Sequence, residues 1–587
     1  MELRPEQTAV VESEADTIVV SACPGSGKTT ALVHTAAGWI TKHRRPECMA
    51  LITFTRRAAS QMRHRLRSMV GPEVDEVCIG TFHSLCYMTL ARFWHLAGYR
   101  HPGILIVDPI DRKNYVFEAG QAAREKRPTY ITDEIDRYGA GLISPAEASE
   151  VLKAYRRLLV DDNACDYALL GAEVMELADR HKEVDGWLRM RCGWMLVDEV
   201  QDSDRLQAAF YRRFAEQRLL VVGDSDQGIY GWRHADPRVM AEFKDAEQRC
   251  LTVNNRSSEE VVAVAEGFRK NIPQVLPRVP MVSGSAAPGN VTAIPEVDLE
   301  EFLRAEAANG SSIGMLFRTN FQAHEMVRRL DVAGIPYSWA TSRDRLLEMP
   351  GVRETMAYIA WADFPDAGVL MDRVLACEGW SVTQRWELKR RAREAATELY
   401  DAATSDLPES DKLCTMCRNT GEFFRSIQDE GFLERLVSCA VRVKRSRGGG
   451  GQESYRAFKD LQDAAAEYVA DTPAKHRSGG GFLHWLIAKE STGQGSGGVQ
   501  VMTVHAAKGL EFDTVLLCGL ERDKFPWRGD DARDMDEERR IFYVAMTRAK
   551  SKLVIVVPPP NVLPSRFIDE TLSVRERISH AVQRHHL

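Results

Sequence analysis

Acidic and amide side chains crowd one stretch of the chain, Leu196–Arg233, which contains LVDEVQDSD and then LLVVGDSDQGIYGWR. Asp198 and Glu199 follow the first apolar run, and Gln227 follows the second, just ahead of two aromatic residues. Carboxylates at a strand end can hold Mg²⁺ and activate water, a glutamine can sense a γ-phosphate, and aromatic rings can stack on bases. The stretch therefore indicates nucleotide chemistry beside nucleic-acid binding.

A phosphate-binding loop is indicated by SACPGSGKTT, which directly follows the apolar run TIVV. Backbone N–H groups around Gly25 and Gly27 can surround a phosphate chain, while Lys28 can reach its terminal oxygens. The pattern GxxxxGKS/T begins here with Ala22 in place of glycine, which is its one departure. We expect the loop to bind ATP through Ala22, Cys23, Pro24, Gly25, Ser26, Gly27, Lys28, Thr29 and Thr30.

The metal and the attacking water are assigned to three of these side chains. Thr29 and Asp198 are expected to hold Mg²⁺, because a hydroxyl and a carboxylate supply the oxygen ligands that this ion prefers. Glu199 is expected to orient and deprotonate the water.

Short apolar runs rich in Val, Ile and Leu are the elements expected to position these residues. They lie at Thr17–Val20, Ala50–Phe54, Trp194–Val197, Leu219–Val222, Thr514–Cys518 and Leu553–Val557. They lack strict alternation, which is typical of strands buried on both faces of a parallel sheet. Helical patterns such as Arg56–Met69 and Ser258–Ile272 lie between strands, so the predicted fold class is α/β.

Two helix-rich stretches divide the strands into two parallel-sheet cores, each interrupted by a mainly helical insertion. We predict the first core at residues 1–91 and 191–250, with its insertion at 92–190. The second core is predicted at 251–341 and 498–587, with its insertion at 342–497. A chain of 587 residues is too long for one hydrophobic core, which agrees with several domains.

Composition limits the partners and the location of the chain. The net charge is −7, so a nucleic acid would have to be met by local basic grooves. The N-terminus lacks a basic segment followed by an apolar core, and no apolar run of about 18 residues occurs. We therefore expect a cytoplasmic protein without a membrane partner.

The twelve cysteines are scattered, which favours reduced thiols over a disulfide framework. Cys414 and Cys417 form a CxxC, with Cys377 and Cys439 at a distance. One CxxC is a weak indication of a metal site, so ordinary thiols are the favoured interpretation.

A series of motifs in order along both cores resembles the UvrD/Rep/PcrA-like superfamily 1 DNA helicase family. Besides the phosphate loop and the acidic stretch, the motifs are LRPEQTAVV, TFTRRAASQM, IGTFHSL, LTVNNRS, FRTN, VMTVHAAKGLEFD, EERRIFYVAMTRAK and LPSRFIDE. The resemblance implies two RecA-like P-loop cores with ATP between them.

The resemblance also implies roles for individual residues around ATP. Gln7 would read the adenine and Glu511 would lie near the ribose. Gln227, Arg256 and Arg548 would face the γ-phosphate, the two arginines acting from the second core. The predicted catalytic residues are Glu199, Lys28, Gln227, Arg256 and Arg548.

One departure from the family concerns the base. The family usually has a tyrosine just before the arginine of LTVNNRS, and this chain has Asn255 there. Loss of that stacking face is expected to weaken base selectivity or shift it to Gln7, unless another aromatic residue substitutes.

The DNA-contacting residues follow from matching motif positions. Aromatic candidates for base stacking are Phe54, Tyr230 and Trp232, and polar candidates for phosphate and sugar contacts are Thr55, Thr81, His83, Arg233, Thr503 and His505. We expect Tyr230 and Trp232 to lie on the same side of an extended segment, because side chains alternate along such a segment.

The resulting hypothesis is an ATP-dependent, Mg²⁺-requiring 3′–5′ DNA helicase or translocase that acts on single-stranded DNA and on junctions with duplex. A second hypothesis is a partner-dependent or protein-stripping motor subunit of a repair or anti-phage complex. A third is a nucleotide-switched DNA-binding scaffold, which the intact Glu199, Gln227 and Arg548 disfavour. A fused nuclease is disfavoured because few residues follow Arg548.

Overall fold

The computed structural model describes residues 3–243, 245–278, 280–285, 287–339, 351–363, 368–394, 432–446, 452–472, 482, 498–527 and 532–574. Cys414 and Cys417 lie outside the described residues, so the question of a metal at the CxxC stays open. Within the described ranges no helix is both long and apolar enough to cross a membrane.

The strands are short and are separated by helices along most of the chain. In chain order they are β1 (Thr17–Ala22), β2 (Met49–Thr53), β3 (Cys78–Thr81), β4 (Leu105–Val107), β5 (Ala164–Asp166), β6 (Trp194–Val197), β7 (Arg218–Gly223), β8 (Glu247–Leu251), β9 (Val253–Asn254), β10 (Val282–Ser283), β11 (Asn290–Pro295), β12 (Ile313–Phe317), β13 (Tyr337–Trp339), β14 (Val499–Thr503), β15 (Phe512–Leu517) and β16 (Ala549–Val557).

Two parallel sheets of six strands carry the structure and confirm the α/β fold class. The first has the order β3-β2-β6-β7-β1-β8, and the second has the order β11-β16-β15-β12-β14-β13. In both sheets every strand pair is parallel. Strands such as Met49–Thr53 and Ile313–Phe317 are buried along their whole length, which explains why their sequences are apolar without alternation.

Helices connect and cover the strands. The longer ones are Pro5–Val11, Lys28–His43, Arg56–Val70, Phe82–Arg92, Pro109–Ala123, Pro128–Gly139, Glu150–Asp161, Leu170–Arg180, Lys182–Cys192, Arg205–Phe214, Glu259–Arg269, Leu299–Ala308, Asn320–Ala333, Val352–Asp363, Gly368–Cys377, Val382–Glu394, Phe432–Ser446, Gln452–Asp471 and Ala532–Met546. Helix 56–70 shows how the sequence sets their ends. The Thr55 side chain caps its first turn, and Gly71 with φ of 74° ends it.

The chain divides by its contacts into two compact units. One unit holds residues 1–85, 182–341 and 494–587, and therefore both parallel sheets. The other holds residues 86–181 and 342–493. It contains the short parallel pair β4 and β5, which the sequence did not indicate because each strand has only three residues. The division into four domains drawn from the sequence stays a prediction.

A buried lysine joins the two chain segments of the second unit. Lys389 is fully buried, and its Nζ lies 2.7 Å from Asp372, 2.9 Å from Asp162 and 3.4 Å from Glu118. The ammonium also lies 4.7 Å from the centre of the Tyr115 ring. Burial alone would lower the lysine pKa, but the surrounding carboxylates outweigh it and raise the pKa.

We predict that Lys389→Met destabilises this unit by about 3–5 kcal/mol, because it leaves buried carboxylates without their cation. Urea unfolding followed by circular dichroism measures the loss. Lys153→Met is the matched control, since its pair with Glu150 is exposed and should contribute little to stability. Equal stability of the two variants would contradict a stabilising role for the buried lysine.

Candidate functional site

The phosphate loop leaves β1 and enters helix 28–43 through two glycines in left-handed conformations. Gly25 has φ of 69° and Gly27 has φ of 81°. A Cβ at Gly27 would lie 2.4 Å from Nε2 of Gln7, and one at Gly25 would lie 2.7 Å from Oδ1 of Asn254. Both the backbone angles and the close neighbours therefore require glycine. The loop ends at a helix N-terminus, which favours anions.

The acidic loop after β6 meets the phosphate loop. Lys28 Nζ lies 3.2 Å from Oε2 of Glu199, and the Thr29 hydroxyl donates to Oδ2 of Asp198 at 3.3 Å. Glu199 has φ of 54°, which is uncommon for a residue other than glycine and is typical of functional sites. Gln201 Nε2 donates to the Glu199 carboxylate at 2.6 Å and further fixes its orientation.

The two neighbouring acids have opposite pKa shifts. Burial and the charge of Glu199 raise the pKa of Asp198. Burial also acts to raise the pKa of Glu199, but Lys28 and Lys508 outweigh it and lower that pKa. Glu199 is therefore the ionised member of the pair, and Asp198 is the acid that a nearby cation would deprotonate.

Gln227 lies at the point where the two cores meet. Its Nε2 donates to Oδ2 of Asp224 at 2.7 Å, and its Oε1 accepts from Nη2 of Arg548 at 3.1 Å. Lys508 Nζ donates to the Gln227 backbone oxygen at 2.8 Å and also pairs with Asp202. A change in the position of Gln227 would therefore alter its contacts with both Lys508 and Arg548 of the second core.

The second core presents Arg548 from the amino end of a strand. Arg548 directly precedes β16 and Glu511 directly precedes β15, and the Phe512 N–H donates to the Arg548 carbonyl at 3.0 Å. Arg256 Nε donates to Glu511 at 2.9 Å. Burial and the charge of Arg256 lower the pKa of Arg548 to about 9. The negative charge near Arg548 is too small to offset the effect of burial and of Arg256 on its pKa. A triphosphate bound nearby would supply additional negative charge.

The residues present fit Mg²⁺. Thr29 and Asp198 bring a hydroxyl and a carboxylate within 3.3 Å of each other at the phosphate loop. Mg²⁺ is usually held by one or two protein oxygens together with substrate phosphates and water, so these two ligands suffice.

The aromatic candidates separate into a stacked pair, of which Tyr230 is buried and Phe54 partly buried, and an exposed ring. Tyr230 is 8% exposed and stacks on Phe54, with ring centres 4.4 Å apart. Trp232 is 63% exposed, and the Arg233 guanidinium lies 4.5 Å from its ring centre. The prediction that Tyr230 and Trp232 share one side of an extended segment is wrong. Gly231–Arg233 forms a 3₁₀ turn, and a turn breaks the alternation on which that prediction relied.

The threonine candidates cap helices. Thr55 accepts from the Ala58 N–H, Thr81 from the Ser84 N–H and Thr503 from the Ala506 N–H. Each hydroxyl keeps its hydrogen for another acceptor. The helices that follow Thr55 and Thr81 begin at carboxyl ends of β2 and β3, so hydroxyls and helix N-termini are presented together at this edge.

Both histidine candidates are held neutral. Burial, with Arg233 nearby, lowers the pKa of His83 to about 4. Burial and Arg318 lower the pKa of His505 to about 4. Nε2 of His505 is buried and has no hydrogen-bond partner among the described residues, and the imidazole lies 5.9 Å from the Tyr230 ring. A polar ligand group at this position would satisfy that nitrogen.

Comparison with known proteins gives the family. Residues 3–248 match the UvrD/REP helicase N-terminal domain, and residues 453–558 match the UvrD-like helicase C-terminal domain. The chain belongs to the UvrD/Rep helicase family. Similar proteins include the ATP-dependent DNA helicase PcrA of Staphylococcus aureus (strain Mu50 / ATCC 700699) and of Staphylococcus epidermidis (strain ATCC 12228 / FDA PCI 1200). Each is 26% identical over 628 residues, which cover 97% of this chain and 86% of the relative.

Sequence reasoning missed several residues that join the two cores of this UvrD/Rep helicase family member. Lys508 bridges to Gln227, Arg540 donates to the Gly228 carbonyl at 2.8 Å, and Glu537 accepts from the Gly231 N–H at 3.0 Å. All three lie inside motifs that carried the resemblance. Each is a charged residue in a motif that also carries a predicted site residue. That combination was the signal that could have identified them.

A buried ion pair adds a further link between the cores. Asp226 is 1% exposed and accepts from Arg269 at 2.6 Å and from Arg278 at 3.0 Å. Because Asp226 directly precedes Gln227, the pair ties the proposed sensor loop to helix 259–269.

We predict that His83 and His505 stay neutral down to about pH 5, because both pKa values are lowered to about 4. Nuclear magnetic resonance titration of isotope-labelled histidines measures this, with His83→Gln and His505→Gln assigning the signals. Titration of either residue at the usual histidine pKa would contradict the described burial.

Proposed function

We propose that the chain is an ATP-dependent 3′–5′ DNA helicase or translocase that moves on single-stranded DNA. The observation that carries this proposal is the position of Gln227. It contacts Arg548 of the second core through its side chain, and it lies five residues before the exposed Trp232. One short loop can therefore transmit the state of the nucleotide to the DNA-facing surface.

Binding of ATP would replace the present partners of the cationic side chains. Lys28 pairs with Glu199 and Arg548 with Gln227, while Arg256 pairs with Glu511. A triphosphate carries enough negative charge to attract all three cations toward one point. Since Lys28 belongs to the first core and the arginines to the second, that attraction would draw the cores together.

Hydrolysis would use the acids released from these pairs. Lys28 lowers the pKa of Glu199, so release of that lysine would raise the pKa and make the carboxylate a stronger base toward the attacking water. Mg²⁺, held by Thr29, Asp198 and phosphate oxygens, would neutralise the charge that develops on the phosphates. Loss of the γ-phosphate would remove the anion that holds Arg256 and Arg548, and the cores would separate again.

The DNA track would lie along the carboxyl ends of both sheets. Thr55 and Thr81 of the first core and Thr503 of the second each end or follow a strand at that edge. Trp232 offers an exposed face on which any base can stack, which suits a motor that ignores sequence. Tyr230 is packed against Phe54 and would support this surface from below rather than receive a base directly.

We predict that ATP hydrolysis is stimulated by single-stranded DNA and depends on Lys28 and Glu199. Glu199→Gln should lower kcat by about 10²–10⁴-fold while nucleotide binding remains, because only the general base is lost. Lys28→Ala should lose binding as well as hydrolysis, because the lysine contacts the phosphates.

Lys42→Ala is the matched control, since Lys42 lies on the same helix but pairs with Glu14 on the surface. Steady-state hydrolysis with and without oligonucleotide supplies the rates. Wild-type turnover that is indifferent to DNA and to Lys28→Ala would refute the proposed motor.

We predict displacement of the short strand from a 3′-tailed duplex and none from a 5′-tailed duplex, because the family resemblance implies 3′–5′ movement. A gel assay with matched tails reports unwinding and polarity together. DNA-stimulated hydrolysis without displacement from either substrate would favour the partner-dependent translocase. Displacement from the 5′-tailed substrate alone would overturn the polarity.

A further inference from the structure

The space beside the phosphate loop where a nucleobase would lie is bordered by Gln7. The Gln7 side chain is 7% exposed, its Nε2 donates to the Ser26 carbonyl at 3.0 Å and its Oε1 accepts from the Arg4 N–H at 3.0 Å. These two bonds fix the plane of the amide. Each polar atom of the amide therefore already has a protein partner.

A guanidinium occupies the neighbourhood where the family usually places an aromatic ring. A Cβ built on Gly284 would lie 3.0 Å from Nη1 of Arg4 and 2.9 Å from Oδ1 of Asn255. The Arg4 guanidinium and the Asn255 side-chain oxygen therefore lie on the same side of Gly284. The Asn255 N–H in turn donates to the Gly25 carbonyl at 2.9 Å, which ties this group to the phosphate loop.

Arg4 is held in place but keeps its guanidinium available. Helix 5–11 is anchored to the segment carrying Asn255, because the Glu6 carboxylate accepts from both the N–H and the hydroxyl of Thr252. The Arg4 side chain is exposed, and no carboxylate pairs with its guanidinium among the residues that the structure describes. An exposed, unpaired guanidinium next to a phosphate loop is suited to a flat, electron-rich ligand.

We infer that Arg4 is the stacking platform for the nucleobase and that Arg4 with Asn255 makes the motor accept ATP and GTP with little discrimination. This inference rests on the proposed nucleotide-hydrolysing function. A guanidinium plane stacks on either purine, because stacking does not depend on the group at the six position of the ring. The Asn255 amide offers both a donor and an acceptor, so it can match the amino group of adenine or the oxygen of guanine.

The experiment compares KM and kcat for ATP and GTP at saturating single-stranded DNA in the wild type and four variants. We expect the wild-type kcat/KM values for the two purines to agree within about tenfold. Arg4→Ala should raise KM for both by about five- to tenfold with kcat unchanged, because it removes a cation–π contact from the bound state. Arg4→Lys should behave like Arg4→Ala, since an ammonium lacks the stacking plane.

Two further variants complete the test. Asn255→Tyr in the Arg4→Ala background should restore KM, because it returns a ring to the pocket. Arg45→Ala is the matched control, since Arg45 is exposed and pairs with Glu47 away from the loop. Binding of fluorescent ATP and GTP analogues to each variant provides a readout that does not depend on turnover.

The outcomes separate the inference from the proposed function. A wild type that neither binds nor hydrolyses nucleotide overturns the proposed function. An active wild type overturns the inference if Arg4→Ala leaves KM unchanged, or if it prefers ATP by more than about a hundredfold. Full activity of Arg4→Lys beside a defective Arg4→Ala also overturns it, because a charge contact with phosphate would then explain the effect.

Discussion

Buried charge between the two sheets is the constraint on which the rest of the structure depends. Lys28, Lys508 and Arg548 all lie in the cleft with little or no solvent, and an unpaired charge there would cost several kcal/mol. Each is matched by a group on another loop, namely Glu199, Asp202 and Gln227. Some of these pairs cross from one core to the other. The distance between the two cores therefore depends on which other charged groups enter the cleft.

The parallel topology decides which side of each sheet meets the cleft. In the first sheet the phosphate loop, the acidic loop and the Gln227 loop all follow carboxyl ends of strands, where α/β sheets usually bind ligands. In the second sheet Arg548 and Glu511 precede their strands. In the second core Arg548 therefore lies at one edge of the sheet while Thr503 lies at the opposite edge. In the second sheet the proposed nucleotide and DNA contacts therefore lie at different ends of the strands, whereas in the first sheet both follow carboxyl ends.

Two local groups of side chains bring distant parts of the chain together. Arg4 and Asn255 lie close together beside the phosphate loop, so a base bound at the proposed site would meet cationic and polar side chains. In the helical unit Lys389 joins segments more than two hundred residues apart through carboxylates of both. Such a buried network tolerates little rearrangement, because each charge depends on the positions of the others.

The sequence by itself determined the fold class, the positions of the main strands and the loops that hold the phosphate and acidic motifs. These features are local: apolar runs of four or five residues predict buried strands, and Gly25 and Gly27 permit the tight turn before a helix.

Only the tertiary structure decided which side chains meet. It buries Tyr230 against Phe54 while exposing Trp232, because a 3₁₀ turn replaces the extended segment. It also brings Lys508 and Arg548 to Gln227 across about three hundred residues of sequence. Such meetings depend on how two separately formed sheets pack, and no local pattern carries that information.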